Sequence, residues 1–229
     1  MIKGTNAINK LNEVREQKKN ALQYIKAGTS LNVCIPSTEE VAQVYVHNVY
    51  GVFNSFQCEN GDLVCKAVDY LYKEANNLPE GAKKEELKLK AYQLKAKPRF
   101  LFGFYNFETG EPILIDLSKK QGQSIFSTIN EYRDELGTYA FKLAKLDGGV
   151  MSLTPILKGL TDAEKANFEA VKGKEINTEL YENAIFKRDM EGQIEDLTKF
   201  GFPVDKITNV APATAQIADE VVEDEDLPF

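Results

Sequence analysis

Tryptophan is absent from the 229 residues, histidine occurs once (His47) and cysteine three times (Cys34, Cys58, Cys65). One histidine leaves His-based acid–base chemistry a single candidate, with no evident nucleophile beside it. The phosphate loop G-x-x-x-x-G-K-[ST], the G-x-S-x-G elbow and the H-E-x-x-H metal motif are all missing. Acids are plentiful, but nothing in their spacing nominates a carboxylate–metal site, so the chain is not expected to be an enzyme. Three cysteines form too sparse and odd a set for a disulfide framework, which points to a reducing, cytoplasmic interior. No apolar run approaches the length of a membrane span, and Met1-Ile2-Lys3-Gly4 lacks the apolar core of a signal peptide. No association with a membrane is expected.

At 43% hydrophobic and 28% charged residues, the composition is that of an ordinary globular protein with a real core. The net charge of -7 is unevenly spread. Residues 205–229 carry seven acids and one lysine, a charge of -6, so the preceding 204 residues sum to only -1. The acidity belongs to the end of the chain, and the body has room for a local basic face. The end itself reads Asp219-Glu220-Val221-Val222-Glu223-Asp224-Glu225-Asp226-Leu227-Pro228-Phe229. Self-repulsion and the lack of apolar surface keep such a block from folding, and the closing Leu227 and Phe229 are then apolar groups on a tether.

Three regions follow. Residues 1–29 form a basic arm, read as an amphipathic helix over Lys3 to Lys26 from Ile8, Leu11, Val14, Leu22 and Ile25. Residues 30–204 form the core, and 205–229 a disordered acidic tail behind the linker-like Ala211-Pro212-Ala213. Within the core, Ser30–Pro36 alternates like a strand, and Gln43–Cys58 reads as one bent strand or two around Gly51. Asn60-Gly61 signals a turn, with Asp62 as the cap of a helix over Leu63–Asn76. Lys83–Ala96 reads as a charged, mobile connection. Arg99–Phe107 and Pro112–Leu117 make a hairpin, and Ser118–Leu136 a helix. Tyr139–Leu146 and Met151–Leu157 make a second hairpin. Thr161-Asp162-Ala163-Glu164 is a capping box, and residues 175–201 read as mostly helical up to Gly201. The expected fold is mainly β with inserted helices, an α+β chain whose strands close most economically as an OB-like, five-stranded, partly open barrel.

The strongest internal pattern lies between Leu87 and Phe107, where Lys88, Lys90, Lys95, Lys97 and Arg99 are interleaved with Tyr92, Phe100, Phe102, Phe104, Tyr105 and Phe107. Cations along a groove attract a phosphate chain and release its counterions, while aromatic faces stack on bases without reading sequence. Alternation puts Phe100, Phe102 and Phe104 on one strand face, with Arg99, Leu101, Gly103 and Tyr105 on the other. One of those rows must face the core, so any single aromatic is open to a packing role. Tyr45 and His47 share a second strand face, and Lys119 and Lys120 precede a helix. The nucleic-acid-binding candidates are thus Lys88, Lys90, Tyr92, Lys95, Lys97, Arg99, Phe102, Tyr105, Tyr45, His47, Lys119 and Lys120.

The acidic block closed by Pro-Phe resembles the C-terminal tip of single-stranded DNA-binding proteins, which dock replication proteins there. The resemblance implies partner binding through Asp224, Glu225, Asp226, Leu227, Pro228 and Phe229. Over roughly residues 30–160 the core resembles the single-stranded DNA-binding proteins of large tailed phages, of the T-even helix-destabilising type. The matches, in order, are His47 in a strand, Cys58, Asp62-Leu63-Val64-Cys65 opening a helix, and the basic-aromatic strand followed by Lys119-Lys120 and a helix. This implies a non-catalytic protein that coats single-stranded DNA without sequence preference in replication, recombination and repair, inside an infected bacterial host. It also implies cooperative self-association through the basic arm. Members of that family bind zinc through one His and three Cys, the last two spaced C-x-x-C. Asp62 stands here at the first Cys of that pair. No cofactor is therefore expected, and zinc on His47, Cys58 and Cys65, with Asp62 as a further donor, is the alternative. The rival functional expectation is a protein–protein adaptor or recombination accessory factor that docks through the tail without binding DNA.

Overall fold

The computed structural model describes residues 22–157 and 159–208. They fall into two units, one of residues 22–48, 54–57 and 96–188 and the other of 49–53, 58–95 and 189–208. The basic arm up to residue 21 and the tail from 209 onward, with its docking residues 224–229, lie outside the described residues.

The first unit is built on one seven-stranded sheet: β1 (Thr29–Cys34), β2 (Val41–Val49), β3 (Phe53–Gln57), β4 (Lys97–Asn106), β5 (Pro112–Leu117), β6 (Ala140–Lys145) and β7 (Met151–Ile156). The order is β3-β2-β4-β1-β6-β7, with β5 on the other side of β4. β4 organises the unit. β5 runs along one edge of it, from Phe100 opposite Leu117 to Tyr105 opposite Pro112. Its other edge is shared by β2, over Lys97–Phe102, and by β1 at Tyr105 and Asn106. The bend between β1 and β2 closes the gap there, because Gly103 N–H donates to the Glu40 carbonyl at 2.8 Å.

Both faces of β4 are covered. On one side Phe102, Phe104, Ile113, Ile115 and Leu117 pack with Ile125 and Ile129 of α3 (Lys119–Glu131) and with Phe141, Leu143 and Leu153. α3 opens with a reciprocal capping box between Ser118 and Gln121. It lies so close that a Cβ on Gly122 would meet the Phe102 ring at 3.2 Å. On the other side, Leu101 packs with Val46 and Ile185, and Tyr105 with Phe168, Val171 and Ile176. Phe168 and Val171 come from α4 (Asp162–Val171), and Ile176 and Ile185 from the irregular chain on either side of α5 (Thr178–Glu182). Glu40 fastens this cover. Its carboxylate accepts from Tyr181 Oη at 2.6 Å and from Ile176 N–H at 3.1 Å. Tyr181 Oη sits where a Cβ on residue 103 would be, so any larger residue there would have to displace it.

The second unit centres on α1 (Leu63–Asn76), packed by α2 (Ala82–Leu94), α6 (Met190–Phe200) and α7 (Asp205–Thr208). The buried stripe of α1 is Leu63, Val64, Ala67, Val68, Leu71 and Ala75, and Tyr70 meets Phe202 edge-on at 5.8 Å. Asp62 occupies the N-cap position but does not cap. Its Oδ2 accepts from Glu59 N–H at 2.8 Å, closing the preceding turn. Gln193 of α6 supplies the cap instead: its Oε1 accepts from Leu63 N–H at 2.8 Å, while its Nε2 donates to Asp62 Oδ1 at 2.9 Å.

Several expectations need correction. The α+β class holds, but helical residues outnumber strand residues among those described, so the chain is mixed rather than mainly β. The sheet is open as expected, yet it has seven strands rather than five, and its end strands β3 and β7 do not pair to close a barrel. Residues 22–26 are not helical; Leu22 bridges Leu114, and Ile25 is buried in the sheet core. Most of the segment read as a mobile connection, Lys83–Ala96, is helical, because α2 spans Ala82–Leu94. Residues 175–201 are helical for most of their length, as expected, but as two helices, α5 and α6, with irregular chain between them. Asp205–Thr208 is helical with Ile207 buried, so the described fold runs past the expected start of the tail.

Candidate nucleic-acid interface

Of the five cations in the 88–99 strip, at least Lys88, Lys90 and Arg99 are paired. On α2, Lys88 Nζ lies 3.0 Å from Glu85 and Lys90 Nζ 2.6 Å from Glu86. These are Glu-before-Lys pairs at i,i+3 and i,i+4, the geometry that supports an exposed helix. Their acids fall just before the basic run begins in sequence. Arg99 is paired across the hairpin, with Nε donating to Asp116 Oδ1 at 2.8 Å. Lys95, directly after α2, and Lys97, at the start of β4, are exposed. The strip is therefore not a row of five unopposed charges.

The aromatic candidates divide in the same way. Phe102 is 2% exposed, stacked on Phe104 with centroids 6.4 Å apart, and belongs to the core against α3. Tyr105 is 6% exposed and donates its hydroxyl to the Glu175 carbonyl at 3.2 Å. His47 is fully buried, its ring 5.2 Å from that of Phe56. None of these three presents a face on which a base could stack. Tyr45 on β2 and Tyr92 on α2 remain open to solvent, each 40% exposed. Lys119 and Lys120 stand exposed in the first turn of α3, which carries no acid, so the positive end of the helix dipole adds to their charge.

A cleft of about 230 Å³ is lined by Leu22–Ile25, Arg99, Ile115–Leu117, Gln121, Lys145 and Met151. At its mouth Tyr24 is 75% exposed, with Lys145 Nζ 4.6 Å from its ring centroid and donating to its hydroxyl at 3.2 Å. Tyr24 falls within the segment read as a helical arm, and Lys145 closes a strand read only for its apolar pattern. The pairing of β1 with β6, which brings them together, has no local signature.

In the second unit the Cys58 and Cys65 sulfurs are 3.3 Å apart, while His47 belongs to the sheet unit. Asp62, expected as a further donor, has its two carboxylate oxygens taken by Glu59 N–H and the Gln193 amide. The Cys65 thiol is pushed far up from its ordinary value, first by its hydrogen bond with Cys58 and then by burial. A bound cation would reverse that preference by favouring thiolate. Cys34, buried beneath α4, is pushed up to about 12 by burial and is an inert core thiol.

Compared with protein-family models, with curated proteins and with solved structures, the chain matches none.

Proposed function

We propose that this chain is a non-catalytic, sequence-independent single-stranded DNA-binding protein, of the kind phages use in replication, recombination and repair. The observation that carries the reading is the exposed tyrosines and lysines of the sheet unit: Tyr45 on β2, Tyr24 beneath Lys145, Lys97, and the Lys119-Lys120 pair. Exposed tyrosines cost apolar hydration and suit stacking on bases, while the lysines suit a phosphate chain. In this reading the seven-stranded sheet is an OB-like scaffold elaborated by β6, β7 and the helices. Tyr92 and Lys95 add to the DNA-binding set, while Lys88, Lys90 and Arg99 contribute less because their charge is met within the protein. The acidic tail offers Leu227-Pro228-Phe229 to replication and recombination proteins, and the basic arm favours cooperative coating.

A second reading draws on the burial of Phe102, Tyr105 and His47 and on the paired Lys88, Lys90 and Arg99. All of these weaken the strip as a groove and favour an adaptor that docks through its tail without holding DNA. Replacing Lys97, Lys119 and Lys120 by glutamate separates the two. The DNA-binding reading expects oligo-dT affinity to fall steeply, whereas a triple variant that binds oligo-dT like the parent would favour the adaptor.

A further inference from the structure

We propose that the cleft between the Leu22–Ile25 segment and the β4–β5 and β6–β7 hairpins seats one nucleotide of single-stranded DNA, its base on Tyr24 and its phosphate at Lys145. The inference rests on the DNA-binding reading and assigns it two residues outside the basic-aromatic strip. Tyr24 is fixed at both sides. Gln23 N–H donates to the Leu114 carbonyl at 2.8 Å, Leu22 bridges Leu114, and Ile25 is 5% exposed. The backbone is thus pinned while the ring between these anchors stands 75% in solvent. A base landing there pays little to order the chain, which is the benefit of preorganisation. Lys145 is fixed in turn. Its strand pairs it with Thr29 and Met151, and its carbonyl accepts from Gly28 N–H at 2.8 Å. Its ammonium lies 4.6 Å from the ring centroid, so a stacked base and its phosphate would meet the two residues together.

The opposite wall decides the class of ligand. Asp116 holds the Arg99 guanidinium through Nε at 2.8 Å and offsets its charge. Arg99 therefore serves the cleft less as an anion receptor than as a fixed, flat cation, a surface that suits a base. Counting Arg99, Asp116 and Lys145 together leaves one net positive charge, carried by Lys145, enough for one phosphate. Gln121 is not free to read the base, because its Nε2 donates to the Gly149 carbonyl at 2.7 Å and its Oε1 accepts from Ser118. This predicts no base preference at the cleft. The volume of about 230 Å³ lies below the ~300–1,000 Å³ of pockets that enclose whole drug-sized ligands. It fits a single base entering from a strand that continues outside.

The test is a titration of the intact chain with oligo-dT, followed by the quenching of tyrosine emission, alongside Tyr24→Ala, Tyr24→Phe and Lys145→Gln. A crosslinking arm uses the unaltered chain with 5-iodouracil oligonucleotide. The inference expects Tyr24→Ala to weaken binding about 5- to 150-fold, the equivalent of one lost base stack. Tyr24→Phe should stay near the parent, Lys145→Gln should lower both affinity and salt dependence, and the crosslinked peptide should contain Tyr24. If the intact chain binds oligo-dT but Tyr24→Ala and Lys145→Gln bind as the parent does and the crosslink maps elsewhere, this cleft assignment is overturned while the DNA-binding reading stands. If the intact chain fails to bind oligo-dT at all, both fall. Tyr24 is largely exposed, so its removal leaves the core intact, and the crosslink on the unaltered chain needs no variant to fold.

Discussion

At the scale of single residues, burial and pairing decide which parts of the basic-aromatic strip can meet a ligand. Strand alternation sorts Phe100, Phe102 and Phe104 from Leu101 and Tyr105, and that much is legible in the sequence. What is not legible is that both rows are covered, because the covers come from α3 and from residues 168–185, far along the chain. The ion pairs of Lys88 and Lys90 are readable in hindsight from Glu85 and Glu86, but the Arg99–Asp116 pair needs the hairpin register. Two residues test this packing. Gly103→Ala would place its Cβ 2.0 Å from Tyr181 Oη and break the Tyr181–Glu40 bond. It should cost about 1–3 kcal/mol by overpacking, read as a lowered urea midpoint; an unchanged midpoint would show the segment is not clamped there. Glu164 caps α4 at Thr161 and accepts from Asn32 Nδ2 at 3.1 Å, and these bonds hold its carboxyl below the ordinary 4.5. With a folded value below the unfolded one, its contribution is present above about pH 4.5 and is lost as pH falls through the folded value. Glu164→Gln should therefore flatten the acid limb of a stability-against-pH curve, and an unaltered acid limb would count against this role.

At the scale of elements, the hairpins and α1 can be read from the sequence because their signals are local: Asn60-Gly61, the glycine turns, and a buried stripe at helical spacing. α2 cannot be read in that way. Only Ala91 and Leu94 of it are buried, so no apolar period marks it. It forms through the helix propensity of its Ala, Lys, Glu, Leu and Gln residues and through its Glu–Lys pairs. Truncating Lys88 and Lys90 to alanine should thus lower the midpoint of a thermal melt only slightly, as befits exposed pairs, and should leave oligo-dT affinity nearly unchanged. A large loss of affinity would restore these lysines to the binding surface. By contrast, Lys119→Gln with Lys120→Gln should reduce the slope of log affinity against log salt by about 1.4, near 0.7 for each phosphate contact on a single strand. The α1 cap is a further test. Gln193→Ala leaves Leu63 N–H and Asp62 Oδ1 without their bonds, at a cost of about 1–3 kcal/mol for each buried group left unsatisfied.

At the scale of the whole molecule, charge is the organising variable. The seven-stranded topology has no local signal, since β1 joins the two hairpins by pairing with both β4 and β6, a non-local choice that no turn residue announces. The separation of an acidic end from a nearly neutral body needs only counting. A chain ending at Ala218 loses six carboxylates, taking the net charge from -7 to -1. It should bind single-stranded DNA at least as tightly as the intact chain while losing replication and recombination partners in a pull-down; weaker DNA binding would place part of the grip in the tail. The central claim is met most directly by one titration, of the intact chain with single- and double-stranded oligonucleotides of mixed sequence and of oligo-dT at two salt concentrations. The account predicts binding to both single strands alike, preference over the duplex, and affinity that falls as salt rises. No measurable binding to either single strand at low salt would contradict it.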